Sequence, residues 1–361
     1  EPAFWVESVD LHFQLSPTNT RVKSIIKFIN NPKRSDTPHA LELDGRMLKL
    51  ISAEINGKKL NLNQMTLHSE GLIISAEHIP QDSFTWTCEV EINPEGNTAL
   101  EGLYISNGMY CTQCEAQGFR KITYYPDRPD VMALFNVTID SKHPTLLSNG
   151  NKISHGKWQD PWVKPAYLFA LVAGDLVFFT DTFTTMNGRK IDLQIYVRDG
   201  DQSKCEYAMD ALKRSMKWDE EVYKREYDLD LFMIVAVDDF NMGAMENKGL
   251  NIFNSKYVLA SPETATDKDF ELIEGIIAHE YFHNWTGNRI TCKNWFQLCL
   301  KEGLTVFRDQ QFSSDQRSHA VKRIEDVIQL RARQFREDAG PLAHPCRPEK
   351  YVEINNFYTS T

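Results

Sequence analysis

The 361-residue sequence has no long hydrophobic run and no excess of positive charge. Its best apolar run, Ala166 to Gly174, is far shorter than the roughly 20 residues that span a bilayer, so we expect no membrane partner. Forty basic and 50 acidic residues give a net charge of −10, which argues against nucleic acid as the main partner. Hydrophobic residues at 42% and charged residues at 25% are typical of soluble globular proteins.

Cysteines are few, and their number, seven, is odd. The chain also opens without the basic segment and apolar stretch of a signal peptide. We therefore expect free thiols and a cytoplasmic location. Cys111-Thr112-Gln113-Cys114 is a C-x-x-C motif, but no second pair accompanies it, which disfavours structural zinc or redox use at this position.

The length of the chain favours two domains. Residues 1–175 have the pattern of half-buried strands: Phe84, Trp86 and Val90 alternate with polar residues, and Asn56-Gly57 is typical of a two-residue hairpin turn. We predict an antiparallel β-sandwich-like domain there and a mixed α+β domain over residues 176–361. Helical spacing predicts helices over residues 204–226, from Thr266 onward, over about 294–311 and over about 318–337, with Val222 on the buried face of the first and Leu272 on that of the second.

The stretch from His279 to His283 reads H-E-x-x-H. On a helix, residues four apart lie on one face, so His279 and His283 can direct two imidazoles at one metal ion. Glu280 can reach a water on that metal and take its proton. Glu302 follows His283 after eighteen residues, and an antiparallel second helix would return it to the histidines as a third zinc ligand. The alternative is two surface histidines on an amphipathic helix.

Two further segments are candidates for binding. Gly243-Ala244-Met245-Glu246-Asn247 places one acid beside a glycine, and an edge strand there could pair with an extended peptide; a simple turn is the alternative. The polar segment from Tyr110 to Arg120 breaks the alternation of the strands, so we expect a loop. Within it, Glu115 is either a ligand-binding carboxylate or a plain surface acid.

Together, Gly243-Ala244-Met245-Glu246-Asn247, the H-E-x-x-H motif and Glu302 resemble the signature of the M1 zinc aminopeptidases, which are gluzincins. The resemblance implies a β-sheet saddle domain followed by a thermolysin-like zinc metallopeptidase domain that is incomplete at its C-terminus. It implies one Zn²⁺ per chain and the release of N-terminal amino acids, namely alanine and other neutral or basic residues, from peptides with a free N-terminus. The full-length protein is expected to be a monomer.

The resemblance also assigns roles to single residues. His279, His283 and Glu302 would bind zinc, and Glu280 would be the catalytic base. Glu115 and Glu246 would hold the free α-amino group of the substrate. A transition-state tyrosine is expected two residues after Thr361, so residues 1–361 alone should hydrolyse peptides slowly. The full substrate-binding set would be Gln113, Glu115, Met242, Gly243, Ala244, Met245, Glu246, Asn247 and Asn355.

Other functions stay open from the sequence. A thermolysin-like endopeptidase would share the zinc ligands but has no use for Glu115 and Glu246. A catalytically impaired zinc-binding fragment or binding module would not need Glu280 as a base. An epoxide hydrolase of the same superfamily is disfavoured by the aminopeptidase-type pocket residues.

Overall fold

The computed structural model describes residues 2–34, 39–80 and 82–361, which divide into two compact units. Unit 1 comprises Glu1–Val177, Val237–Asn241 and Asn247–Leu250. Unit 2 comprises Phe178–Ala236, Met242–Glu246 and Asn251–Thr361. Among the described residues, no helix has the length and apolar character needed to cross a membrane. The predicted domain boundary after residue 175 stays a prediction.

Unit 1 is built from strands joined by short turns. Its strands are, in chain order, β1 Phe4–Gln14, β2 Thr20–Asn30, β3 Leu41–Asp44, β4 Lys49–Ile55, β5 Lys58–Lys59, β6 Met65–His68, β7 Gly71–Ile74, β8 Phe84–Ile92, β9 Gly102–Ser106, β10 Met109–Gln113, β11 Met132–Asp140, β12 Thr145–Ser148, β13 Asn151–Ser154, β14 Lys157–Pro165 and β15 Leu171–Gly174.

Three sheets hold these strands within the described part of the chain. The largest has the order β13-β14-β11-β1-β2-β8-β4-β5, and the smaller ones have the orders β12-β15-β10-β9 and β3-β7-β6. Pairing is mostly antiparallel, as predicted, but β1 runs parallel to β11, with Val9 opposite Phe135. Since β1 also pairs with β2, it is a central strand of the largest sheet.

The predicted local structure of unit 1 is largely confirmed. Strand β8 alternates between buried and half-buried residues along its whole length, as period-two sequence requires. Asn56 and Gly57 both have positive φ angles, 49° and 74°, and close the hairpin between β4 and β5. Phe28 and Phe84 stack with ring centroids 5.2 Å apart in the core of the largest sheet.

The prediction of a loop from Tyr110 to Arg120 is wrong for its first part. Residues 110–113 belong to β10, and every residue of that strand is buried. The polar side chains are accommodated by hydrogen bonds: the Thr112 hydroxyl accepts from the Leu171 amide at 2.9 Å. Alternation is lost because both faces of β10 are covered, so period two carries no signal there. The buried Cys111 and Cys114 are free thiols.

Unit 2 combines a mixed sheet with helices. The sheet has the order β16-β17-β18-β20-β19, in which β17 and β18 are parallel. Its strands are β16 Val177–Thr184, β17 Lys190–Val197, β18 Leu231–Val237, β19 Ala244–Met245 and β20 Leu250–Asn254, and the helices are α1 Glu206–Tyr223, α2 Asp267–Phe282, α3 Leu298–Gln316, α4 His319–Gln329 and α5 Phe335–Asp338, with a π-helical turn at Leu330–Gln334.

Helices α1, α2 and α3 pack on one another around aromatic side chains. The Trp218 ring lies 5.1 Å from that of Phe282 and 5.7 Å from that of Phe312. Two predicted core positions are wrong, since Val222 of α1 is 43% exposed and Leu272 of α2 is 40% exposed. The interhelical contacts lie on the other sides of these helices, so a hydrophobic residue at roughly helical spacing was not sufficient to define the buried face.

Candidate active site

Helix α2 is anchored at its start and along one face. The Thr266 side chain accepts a hydrogen bond from the Asp269 amide, and Asp269 accepts one from the Thr266 amide at 2.8 Å, which forms a reciprocal capping box. Ile273 and Ile277 are 0% and 1% exposed and bury the face that continues toward the motif. The helix ends at Phe282, so His283 is its C-cap and still has helical dihedral angles.

Three side chains of α2 and α3 converge at the end of α2. The Nε2 atoms of His279 and His283 are 3.0 Å apart, and Glu302 Oε2 lies 3.4 Å from each of them. Ligands held about 2.0–2.1 Å from a tetrahedral Zn²⁺ lie about 3.3 Å from each other, so this triangle has the size that such an ion requires.

The far nitrogens of both imidazoles are hydrogen-bonded. His279 Nδ1 lies 2.6 Å from Asp309 Oδ2, and His283 Nδ1 lies 2.9 Å from the Thr286 carbonyl oxygen. A carbonyl oxygen accepts only, so His283 Nδ1 carries a proton, and the ring in its neutral form has its lone pair at Nε2. An ionised Asp309 requires the same tautomer of His279. Both rings therefore aim a lone pair into the triangle, as metal-binding histidines do.

A glycine makes the approach of the loop after α2 possible. A Cβ atom at Gly287 would lie 2.8 Å from His283 Nδ1, which is closer than real Cβ contacts, and 3.1 Å from Lys301 Cγ, which is a tight contact. Gly287 also has φ at +147°, which favours glycine. The loop can therefore pass close enough for the carbonyl of Thr286 to orient His283.

Glu280 is 6% exposed, and its Oε2 atom has no hydrogen-bond partner within residues 2–34, 39–80 and 82–361. Its carboxylate, the Glu246 carboxylate and the His283 imidazole form one cluster of potential ligand atoms within 4.8 Å of one another. Burial raises the pKa of Glu280 to about 8, and the Glu246 carboxylate adds to that effect against the opposing effect of His279. A carboxyl group with a raised pKa and an uncommitted oxygen is suited to taking and returning a proton.

The pKa values of Glu302 and Glu246 are lowered, in contrast to that of Glu280. Burial would raise the pKa of Glu302, but His283 and Lys301 together hold it well below its usual range. Burial would likewise raise the pKa of Glu246. The positive charges of Lys301 and, to a smaller extent, His283 outweigh the effect of burial, so the pKa of Glu246 is lowered as well. Two carboxylates stay charged beside one that is readily protonated, which separates ligand and anchor roles from an acid–base role.

Lys301 is a member of the site that the sequence did not reveal. Its side chain is 1% exposed, with Nζ 2.6 Å from Glu246 Oε1 and 3.2 Å from Glu302 Oε1. The Glu246 carbonyl accepts a hydrogen bond from the Asn288 side chain at 2.8 Å, which fixes the backbone at that end. A lysine beside a glutamate on a predicted helix has the pattern of a solvated face, so no sequence signal distinguished it.

The other predicted substrate-binding residues lie in several elements. Ala244 and Met245 form β19 at the edge of the sheet, consistent with the edge strand considered above. Gly243 precedes them, and a Cβ atom added there would lie 3.3 Å from the Tyr257 ring. Met242 is 38% exposed, and Asn355 is exposed on the turn Ile354–Phe357.

Gln113, Glu115 and Asn247 belong to unit 1. Gln113 ends β10 and donates from Nε2 to the Glu115 carbonyl at 3.2 Å. Glu115 is 9% exposed, so it is not a plain surface acid. The Asn247 side chain is fully buried, and neither its Nδ2 nor its Oδ1 has a hydrogen-bond partner within the described residues. The functional roles of all these residues stay predictions.

Two family models match the chain. The description "Peptidase M1 N-terminal domain" matches residues 6–170, and "Peptidase family M1 domain" matches residues 207–361. The chain belongs to the M1 peptidase family. The predicted architecture, with mostly antiparallel sheets before a helical M1 catalytic region, is thereby confirmed.

Relatives of this M1 chain include well-matched bacterial proteins. It is 57% identical to aminopeptidase N of Caulobacter vibrioides over 99% of its length, and 54% identical to aminopeptidase N of Escherichia coli K12 over 100%. A crystal structure of Legionella pneumophila aminopeptidase A in complex with aspartic acid superposes with a TM-score of 0.91 at 35% identity, covering 99% of this chain. The chain spans 42% of the length of each of these proteins.

Proposed function

We propose that this chain carries the zinc centre and amine-recognition residues of an aminopeptidase that releases N-terminal amino acids from peptides. The observation that carries the proposal is the triangle of His279, His283 and Glu302, with the uncommitted carboxylate of Glu280 and the buried Glu246 beside it. M1 aminopeptidases are zinc enzymes. The spacing of these three ligands and the tautomers of the two histidines suit Zn²⁺.

Each side chain has a defined task in this proposal. Zinc held by the two histidines and Glu302 would polarise the scissile carbonyl and acidify a water. Glu280 accepts the proton of the attacking water at its free oxygen and delivers it to the departing amine. Glu246, charged and buried, binds the terminal ammonium ion of the substrate, with Glu115 as its proposed partner. The orientation of His279 is maintained by Asp309.

The remaining substrate contacts are proposed from the family motif. Gln113 and Met242 would line the pocket for the first side chain, and Gly243, Ala244, Met245, Asn247 and Asn355 would contact the peptide. We propose alanine and other neutral or basic first residues, as the resemblance to M1 aminopeptidases implies. We also propose residues 1–175 and 176–361 as the domains, a cytoplasmic location supported by seven free thiols, and a monomeric full-length protein.

A pair of substrates separates this function from that of an endopeptidase. The zinc-loaded chain is given a free alanyl-peptide and the same peptide acetylated at its N-terminus. An aminopeptidase cleaves the first and leaves the second intact. Cleavage of both at equal rates would favour the thermolysin-like endopeptidase, and binding of zinc without cleavage of either would favour the catalytically impaired fragment.

A further inference from the structure

Lys301 lies between two acids of the site and has no role in the steps described above. Its ammonium group bridges Glu246 Oε1 at 2.6 Å and Glu302 Oε1 at 3.2 Å. These two carboxylates come from different elements, because Glu246 follows β19 and Glu302 lies on α3. One cation thus connects the proposed amine anchor to a proposed zinc ligand.

Burying the charge of Lys301 has a cost in folding free energy, which points to a role in the site. Removing an ammonium ion from water carries a penalty of several kcal/mol that a buried ion pair offsets only with good geometry. Apolar side chains in place of the lysine and of its partners would avoid that penalty, whereas removal of the lysine alone would leave the Glu246 and Glu302 carboxylates without their cation. The charge is therefore better explained by what it does to its partners than by a contribution to stability.

The aliphatic part of Lys301 is held on its other side. A Cβ atom added at Gly287 would lie 3.1 Å from Lys301 Cγ and 3.3 Å from Cδ, so the loop backbone passes close to the stem. A stem that is packed against a loop delivers its ammonium group to a fixed point. A free surface lysine, with several rotatable bonds, could not orient a carboxylate in this way.

We propose that Lys301 is a positioning residue: it holds the Glu246 carboxylate in the orientation that recognises a substrate α-ammonium group and couples that orientation to Glu302. The inference rests on the proposed function and deepens it. Lys301 pairs with Glu246 Oε1. The proposal assigns the other carboxylate oxygen, Oε2, to the incoming amine, so that the anchor presents one oxygen in one direction. Discrimination for a free amine then depends on Lys301 without any contact between Lys301 and the substrate.

Two chelators that differ only in the amine test the proposal without turnover. Alanine hydroxamate carries the α-amine, and propionohydroxamate lacks it, while both offer the same zinc-binding group. Their dissociation constants are measured by calorimetry on the zinc-loaded chain, and their ratio gives the amine preference. The variants are Lys301→Met, Glu246→Gln and the double variant, with the exposed Lys293→Met as matched control.

We expect Lys301→Met to reduce the amine preference by roughly tenfold or more, the range for losing a hydrogen bond to a charged group, with propionohydroxamate binding nearly unchanged. Lys293→Met should match the wild type. Because Lys301 acts through Glu246, the double variant should show the same preference as Glu246→Gln alone. If Lys301→Met does not fold, Lys301→Gln, which keeps a donor but no charge, replaces it and should reduce the preference in the same direction.

The contrary outcomes are distinguishable. A wild-type preference that survives in Lys301→Met, or increases, overturns the positioning role and leaves the proposed function intact. Additive losses in the double variant show that Lys301 acts independently of Glu246 and also overturn it. If the wild-type chain binds both hydroxamates equally, the proposal that Glu246 recognises the amine is refuted. If it binds neither, the proposed zinc centre is refuted. Either result also refutes the role of Lys301.

Discussion

Replacing Asp309 by asparagine should weaken zinc binding, although Asp309 is not among the proposed ligands. Its Oδ2 atom lies 2.6 Å from His279 Nδ1, and both side chains are only 19% exposed. Asparagine keeps the volume and removes the charge. It can also present its amide nitrogen to His279 Nδ1, which would place the imidazole proton on Nε2 and block the lone pair that faces the metal site.

The expected size of the effect follows from this one hydrogen bond. A hydrogen bond to a charged group contributes about 1.5–3 kcal/mol, which corresponds to roughly 10–150-fold in an equilibrium constant. Carboxylates that orient metal-binding histidines typically account for about 10–100-fold in metal affinity. We therefore expect Asp309→Asn to raise the dissociation constant for zinc by about 10–100-fold.

The assay is competition for Zn²⁺ against a chromophoric chelator at constant pH. Asp315→Asn is the matched control, because Asp315 lies on the same helix and accepts a hydrogen bond from Trp218 Nε1 at 2.8 Å, and it contacts neither histidine of the proposed zinc site. That variant should bind zinc like the wild type. If Asp309→Asn and Asp315→Asn had the same zinc affinity, the argument from the imidazole tautomer would be refuted.

Three further predictions concern turnover and stability. Glu280→Gln should keep the zinc content of the wild type and lower kcat for an alanyl substrate by about 10²–10⁴-fold, as measured by zinc analysis and initial rates; an unchanged kcat would remove its role as base. Thr266→Ala should lower the free energy of unfolding in urea by about 1 kcal/mol, because the cap of α2 is lost; no change would mean that this end is frayed. Arg308→Met should cost about 3–5 kcal/mol in the same assay by leaving Asp219 buried without its cation, and Arg308→Met with Asp219→Leu should recover much of that loss; a mild single variant would contradict a buried ion pair.

Much of the local structure around the zinc motif could be predicted from the sequence. Thr266 as the N-cap, the helix through His279 and a second helix carrying Glu302 follow from spacing and capping chemistry, which act between residues close in sequence. The resemblance to M1 aminopeptidases supplied the family, which the comparisons confirm. The roles of the individual residues remain predictions.

The parts that could not be predicted depend on contacts between distant segments. Lys301 lies close to the loop at Gly287 and pairs with Glu246, and neither neighbour is near it in sequence. Residues 110–113 seemed too polar for a strand, yet the backbone of Leu171 satisfies Thr112. Val222 has helical spacing but faces away from the interhelical contacts, which depend on how α1 packs.

The shortness of β19 limits the number of backbone hydrogen bonds that this strand could offer to a peptide. Ala244 and Met245 are the whole strand, and they form the outer edge of their sheet within the part of the chain that the structure describes. A strand of two residues offers an added strand only one or two backbone hydrogen bonds, whatever the length of the visitor. Under the proposed function, a longer peptide would gain no further backbone hydrogen bonds from that edge, so pairing with β19 would not favour long peptides over short ones.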